Sequence, residues 1–252
     1  MTDNHVHIGQ YNRVYYDPVE IADVVMSTGL DGMAFSSTSS CINNIVYSEI
    51  EKEIATFLSN SQYSDETIQP YLWYVPGYID QGITMKNAFN GIQYKGIKLH
   101  PYAQNWDFSD KRHMEALHNI FDYAALNTLP IIIHTGYSGI DSANRFERFM
   151  DEYRNAKCIL AHCRPLDITI ALLQKYKNVY CDTAFISKTE ILQIVTSGLK
   201  DKIIFGSDFP ITHYLRIENL NLGYSTPISL REQYTEDTSD WKALEAEFDI
   251  GS

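Results

Sequence analysis

The chain has 252 residues, 44% of them hydrophobic and 21% charged, with a formal net charge of -12 and a pI near 5.0. That length can bury a large core in one domain, residues 1–252, and the acidic balance argues against nucleic acid or an anionic membrane as the main partner. No apolar stretch reaches bilayer length, and no basic region followed by an apolar run marks a secretory leader.

Strand and helix signals then alternate along the chain. Short apolar runs predict strands at about Thr2–His7, Leu30–Phe35, Gln69–Val75, Lys95–His100, Leu129–His134, Cys158–His162, Val179–Thr183 and Lys202–Phe205. Between the first two, Asp17-Pro18-Val19-Glu20 offers an N-cap, a proline at the first helical position and a carboxylate; Gly29 is the expected stop. Ile50, Ile54, Phe57 and Leu58 form one helix stripe, and Met114, Leu117 and Phe121 another, after the cap candidates Ser109 and Asp110. Ser187-Lys188-Thr189-Glu190 is a capping box. In the tail from Gly223 to Ser252, Trp241, Leu244 and Phe248 read as the stripe of a closing helix. Strands recurring every 20–40 residues with helices between them predict a (β/α)8 TIM-like barrel, α/β in class. Cys41, Cys158, Cys163 and Cys181 lack Cys-x-x-Cys spacing and read as reduced thiols of a cytoplasmic protein.

Chemistry collects where the strands end. His5 and His7 lie in the first, His100, His134 and His162 close three others, and Asp208 follows the last. Alternation places His5 and His7 on one face, so two imidazoles can chelate one ion. His134 would add a third nitrogen and Asp208 a carboxylate. This set suits a divalent metal, zinc first, with a position left for water. Asp208 would accept the water's proton, and His162 would hold the substrate carbonyl or protonate the leaving group. Lys98, two residues before His100, has three readings: a cation for an acidic substrate group, a carbamylated bridge to a second metal, or an inward lysine paired with a carboxylate. His100 is read as a pocket donor or a structural residue. His113 and His118 lie on a helix and read as structural.

Five segments in order, Asp3-Asn4-His5-Val6-His7-Ile8-Gly9, Gly96-Ile97-Lys98-Leu99-His100-Pro101, Ile133-His134-Thr135-Gly136, Leu160-Ala161-His162 and Gly206-Ser207-Asp208-Phe209-Pro210, carry a resemblance over nearly the whole chain. It resembles the amidohydrolase superfamily, in particular the metal-dependent hydrolases related to aminocarboxymuconate semialdehyde decarboxylase. The resemblance implies metal ligation by His5, His7, His134 and Asp208, and a catalytic His162. Lys98-Leu99-His100-Pro101 is similar to the Lys-Leu-Tyr-Pro segment that holds a carbamylated lysine in binuclear relatives such as dihydroorotase; there the His162 position is also a ligand. Many relatives have glycines where Cys163-Arg164-Pro165 stands here, and Arg164 is read either as a pocket-mouth partner for a substrate carboxylate or as one half of a surface salt bridge.

The leading expectation is hydrolysis of an amide, ester or lactone of a small acidic substrate at one metal ion. The alternatives are decarboxylation of an unsaturated acid at the same site, a phosphoesterase or TatD-type DNase with a His-x-His strand, and a non-catalytic barrel. Lys98, where the DNase type has glutamate, and Pro210, where the phosphoesterase type often has histidine, weigh against the third. The intact ring weighs against the fourth. Tyr11, Tyr15, Tyr16, Tyr102, Trp106 and Tyr137 point to a small cyclic or aromatic substrate, and a homo-oligomer is left open.

Overall fold

The computed structural model describes residues 1–221 and 228–250. In chain order it forms β1 (Thr2–Tyr11), β2 (Val14–Tyr16), α1 (Pro18–Met26), β3 (Gly32–Ser37), α2 (Tyr47–Asn60), β4 (Ile68–Trp73), α3 (Gly77–Asp80), α4 (Met85–Gly91) and β5 (Gly96–Leu99). It continues with α5 (Lys111–Asn127), β6 (Pro130–His134), α6 (Glu147–Glu152), β7 (Lys157–Ala161), α7 (Leu166–Lys175), β8 (Val179–Asp182), α8 (Lys188–Thr196), β9 (Ile203–Ile204), α9 (Ile211–Asn221) and α10 (Leu230–Phe248). All eight expected strands are present, with bounds shifted by a few residues. The hairpin strand β2, too short for a periodic signal, is additional; it pairs antiparallel with the end of β1.

The other strands run parallel, each beside its predecessor in the chain. After Ile204 the last strand loses its regular pairing with β8 but leans onto β1. Asn4 N–H donates to the Phe205 carbonyl (3.0 Å), Asp208 N–H to that of His5 (2.8 Å), and His7 N–H to that of Phe209 (2.7 Å). Val6 and Phe209 form a parallel bridge. These bonds join the first and last strands and close the barrel. Gly206 permits the approach, since a Cβ there would lie 2.8 Å from the His5 Cβ.

The helices form where caps and stripes place them. Asp17 accepts from the amides of Val19 and Glu20, and α1 then buries Ile21, Ala22, Val24 and Val25. It ends at Ser27, two residues before Gly29, which takes a left-handed φ of 78°. Asp110 caps α5, and Ser187 with Glu190 forms the expected box on α8. On α10 Trp241 is buried and stacks on Phe205 at 5.6 Å, while Leu244 and Phe248 pack against the core. Of the tail, residues 223–227 and 251–252 lie outside the described residues.

Two apolar layers result. The larger lies between strands and helices. The smaller fills the barrel: Ala34, Tyr71, Ile132, Ile159 and Ala161, with Tyr180 and Ile204 packed against them. Gly96 makes room for the Tyr71 ring, which a Cβ would meet at 2.5 Å. The four cysteines are free thiols, and no helix among the described residues is long and apolar enough to cross a membrane.

Candidate metal centre

Strand alternation brings His5 and His7 to the barrel interior, both almost fully buried, with ring centroids 5.0 Å apart. Asp208 meets them across the seam: its Oδ1 lies 3.3 Å from His5 Nε2 and 2.8 Å from His7 Nε2. One donor atom from each of the three residues lies within 4.8 Å of the other two. His5 Nδ1 is 2.6 Å from Asp182 Oδ2. A carboxylate partner fixes the proton on Nδ1 and leaves Nε2 with its lone pair, the tautomer a metal ligand needs. His7 Nδ1 lies 3.3 Å from the Ser36 carbonyl and 3.1 Å from its hydroxyl. Nδ1–H given to that carbonyl turns the Nε2 lone pair toward the Asp208 oxygen, where a cation fits between them; Nδ1 accepting from the Ser36 hydroxyl instead leaves Nε2–H to donate to Asp208.

Burial dominates the electrostatics. It pushes the His5 imidazole well below its ordinary range, helped by the neighbouring Lys98. Burial also raises Asp182 to about 6, against the pull of His162. Asp208 goes the other way: burial opposes its ionisation, but the imidazoles of His5 and His7 outweigh that and hold it well below the usual carboxylate range. Asp208 also adopts a left-handed φ of 57°, and His162 one of 71°. Such backbone is uncommon for non-glycine residues and collects at functional sites.

His162 is buried and donates from Nδ1 to the Ala184 carbonyl at 3.2 Å. Burial lowers it to about 4, so at neutral pH it is uncharged with Nε2 as an acceptor. In that state it takes a proton or holds a cation; giving a proton to a leaving group requires that it first gain one. Its ring lies 4.6 Å from that of His134. His134 stands outside the converging group of three. Its ring stacks on His100 at 3.6 Å, and its Nε2 is 3.8 Å from Asp141 Oδ2. His100 accepts from the Ala103 amide at Nδ1, which places its proton on Nε2, and it stacks on Trp73.

Lys98 is buried level with Trp73 at the inner wall of the site, its Nζ donating to His5 Nε2 at 2.6 Å. Burial lowers it to about 8, against the pull of Asp208 and Asp182. The structure sets Lys98 against a ligand atom, a contact that none of its three readings in the sequence named. Arg164 is half-buried, over the Tyr137 ring at 6.0 Å and 3.5 Å from the Phe185 carbonyl. Of the aromatic residues singled out, Trp106 and Tyr16 belong to the core, while Tyr15, Tyr102 and Tyr137 are exposed. His113 and His118 lie away from the site, bonded to the Asp107 amide and the Tyr153 hydroxyl.

Three residues of this region escaped the sequence reading. Asp182 ends β8 and would have been found by the strand-end rule that found the histidines. Trp73 ends β4, and its ring lies 5.1 Å from that of His7. Asp3, fully buried, accepts the His5 amide at 3.1 Å.

Two imidazole nitrogens and a carboxylate oxygen, one imidazole already oriented by a second carboxylate, fit a borderline divalent ion such as zinc. A family model described as Amidohydrolase matches residues 85–222, more than half of the chain. The fold is similar to that of the YdjI aldolase from Escherichia coli K12, at 11% identity and a TM-score of 0.51, covering 100% of this chain and 91% of that one. It is similar also to N-acetylneuraminate lyase from Mycoplasma synoviae, at 13% identity and a TM-score of 0.51, covering 98% and 82%. At such identities the likeness is one of fold alone. No curated protein matches the sequence.

Proposed function

We propose, from the premise that this chain belongs to the amidohydrolase family, that it is a metal-dependent hydrolase of an amide, ester or lactone bond in a small acidic substrate. The observation that carries this reading is the convergence of His5, His7 and Asp208 on one point at the barrel mouth. Within the family, the Asp3–Gly9 and Gly206–Pro210 segments support a relation to aminocarboxymuconate semialdehyde decarboxylase.

His5, His7 and Asp208 would hold one ion, zinc first, with His134 as the further ligand implied by the resemblance. When bound, such an ion supplies a Lewis acid and lowers the pKa of water toward neutrality. The rest is done by the chain. Asp182 keeps His5 in its ligating tautomer. Asp208, ionised and buried, is the proton acceptor nearest both imidazoles. His162 offers a neutral Nε2 beside them and takes a proton that it can then return to the leaving group. His100 Nε2–H and the Arg164 guanidinium supply donors for a substrate carboxylate. Lys98 holds positive charge next to Asp208 and Asp182.

Metal analysis of the purified protein, followed by a panel of lactones, amides, esters and carboxylic acids, tests the reading. One zinc per chain and hydrolysis of an acidic member are expected. Carbon dioxide release without hydrolysis would replace the hydrolase by a lyase using the same residues. Failure to bind zinc, cobalt or manganese would overturn both.

A further inference from the structure

Asp3 is a fully buried carboxylate, and each of its four hydrogen-bond partners is neutral. Oδ1 accepts from the amides of His5 and Ser207, both at 3.1 Å. Oδ2 accepts from the Ser207 hydroxyl at 2.6 Å and the Tyr234 hydroxyl at 2.7 Å. A buried carboxylate is costly unless its oxygens are filled, so these donors define where Asp3 sits. They come from three elements: β1, the segment after β9, and α10. Two of them adjoin metal ligands, since His5 is one and Ser207 precedes Asp208.

Tyr234 grips the same segment a second way. It is wholly buried, and its ring packs on Phe209 with centroids 4.6 Å apart. Phe209 follows Asp208, and its carbonyl takes the His7 amide. One tyrosine thus reaches the chain on both sides of Asp208, by its hydroxyl through Asp3 to Ser207 and by its ring to Phe209. A phenylalanine would seal the barrel equally well. The hydroxyl is what the carboxylate needs, and it is given to Asp3 Oδ2.

We infer that Tyr234 is a positioning residue for the metal centre: through Asp3, its hydroxyl holds the backbone of His5 and of the Ser207–Asp208 segment at the spacing the ligands need. This rests on the metal-centre reading above. The last helix then tunes the site as well as covering the barrel.

The test is zinc affinity, by competition with a chelator, on metal-free full-length protein, with thermal unfolding of the same metal-free samples. Tyr234→Phe is expected to weaken zinc binding at least about tenfold, the scale on which orienting groups act. Trp241→Phe is the control, since it loosens the same helix through Phe205 without touching Asp3. It loses the stack on Phe205 and the bond from Nε1 to Met1 Sδ but none of the donors to Asp3, so it should lower the unfolding temperature yet weaken zinc binding several-fold less than Tyr234→Phe does. Unchanged affinity in Tyr234→Phe overturns the inference. So does weakening in Trp241→Phe matching its loss of stability, because helix docking would then be the cause. A wild-type protein that binds no zinc overturns the metal-centre reading itself, and this inference with it. If Tyr234→Phe does not fold, Ser207→Ala removes the other side-chain donor to Asp3 Oδ2 and carries the same expectation.

Discussion

Low in the barrel the interior is lined by Ala34, Tyr71, Ile132, Ile159 and Ala161, with Tyr180 and Ile204 against them. Two positions further along the same strands stand Ser36, Trp73, His134, Asp182 and Gly206. Period-two alternation points both sets inward, so one step of the pleat separates a packed floor from a charged mouth. The floor gains stability by burial, about 1.5–3 kcal/mol for each large side chain. The mouth loses it: burial drives Asp182 up to about 6, Lys98 down to about 8 and His162 down to about 4, each toward its neutral form. The left-handed backbone at His162 and Asp208 adds to that cost. Apolar packing below holds together an arrangement above that would not hold itself.

The two levels should respond to mutation in different measurements. Asp208→Asn keeps the shape but removes the proton acceptor, so turnover on a substrate found in the panel should fall about 10²–10⁴-fold. Its metal-free unfolding midpoint should fall, because the ionised carboxylate is favoured in the folded state, but by less than that of the packing variant below; near wild-type turnover would reduce Asp208 to a turn residue. Ile132→Ala should do the reverse, costing about 2–5 kcal/mol in urea unfolding while zinc content stays at the wild-type level. Zinc loss in that variant would merge the two levels.

Lys98→Met gives a mouth position the chemistry of the floor. The folded state holds Lys98 at about 8, below its ordinary 10.5, so the unfolded chain binds more protons between those values. Wild-type stability should therefore rise with pH across that window, the penalty being full below pH 8 and gone above 10.5. The metal-free variant should be more stable than wild type by roughly 3 kcal/mol at pH 7, and the gap should close toward pH 10.5. A gap independent of pH in urea titrations would mean that the lysine is not desolvated. Asp182→Asn should have the smallest effect, weakening zinc binding about 10–100-fold by loosening the His5 tautomer. Unchanged affinity in chelator competition would show that the ring is held without it.

The levels also differ in how far the sequence discloses them. Apolar runs of strand length located all eight parallel strands, five of them marked by His or Asp at the end, and the positions of His5, His7, His162 and Asp208 followed. Asp182 was open to the same rule, but its run reads as plain core. What the pattern could not disclose is the direction of a side chain once there. Lys98 bonds to His5 because barrel stagger sets which strands' side chains meet. His134 lies near Asp141 because the loop after β6 turns back beneath it. Tyr234 is invisible because its partner Asp3 is far away in sequence and α10 reads only as an amphipathic cover.

That separation has a consequence for how the protein is made. The seam bonds Asp3 to Ser207 across 204 positions, and synthesis from the N-terminus delivers His5 and His7 long before Asp208. Contacts so distant in sequence form late, after the intervening chain has been ordered. A nascent chain holding the first two histidines therefore lacks the carboxylate that completes the set. In the metal-centre reading, ion capture at full affinity waits for the last strand to reach the first, so loading reports that the barrel has closed.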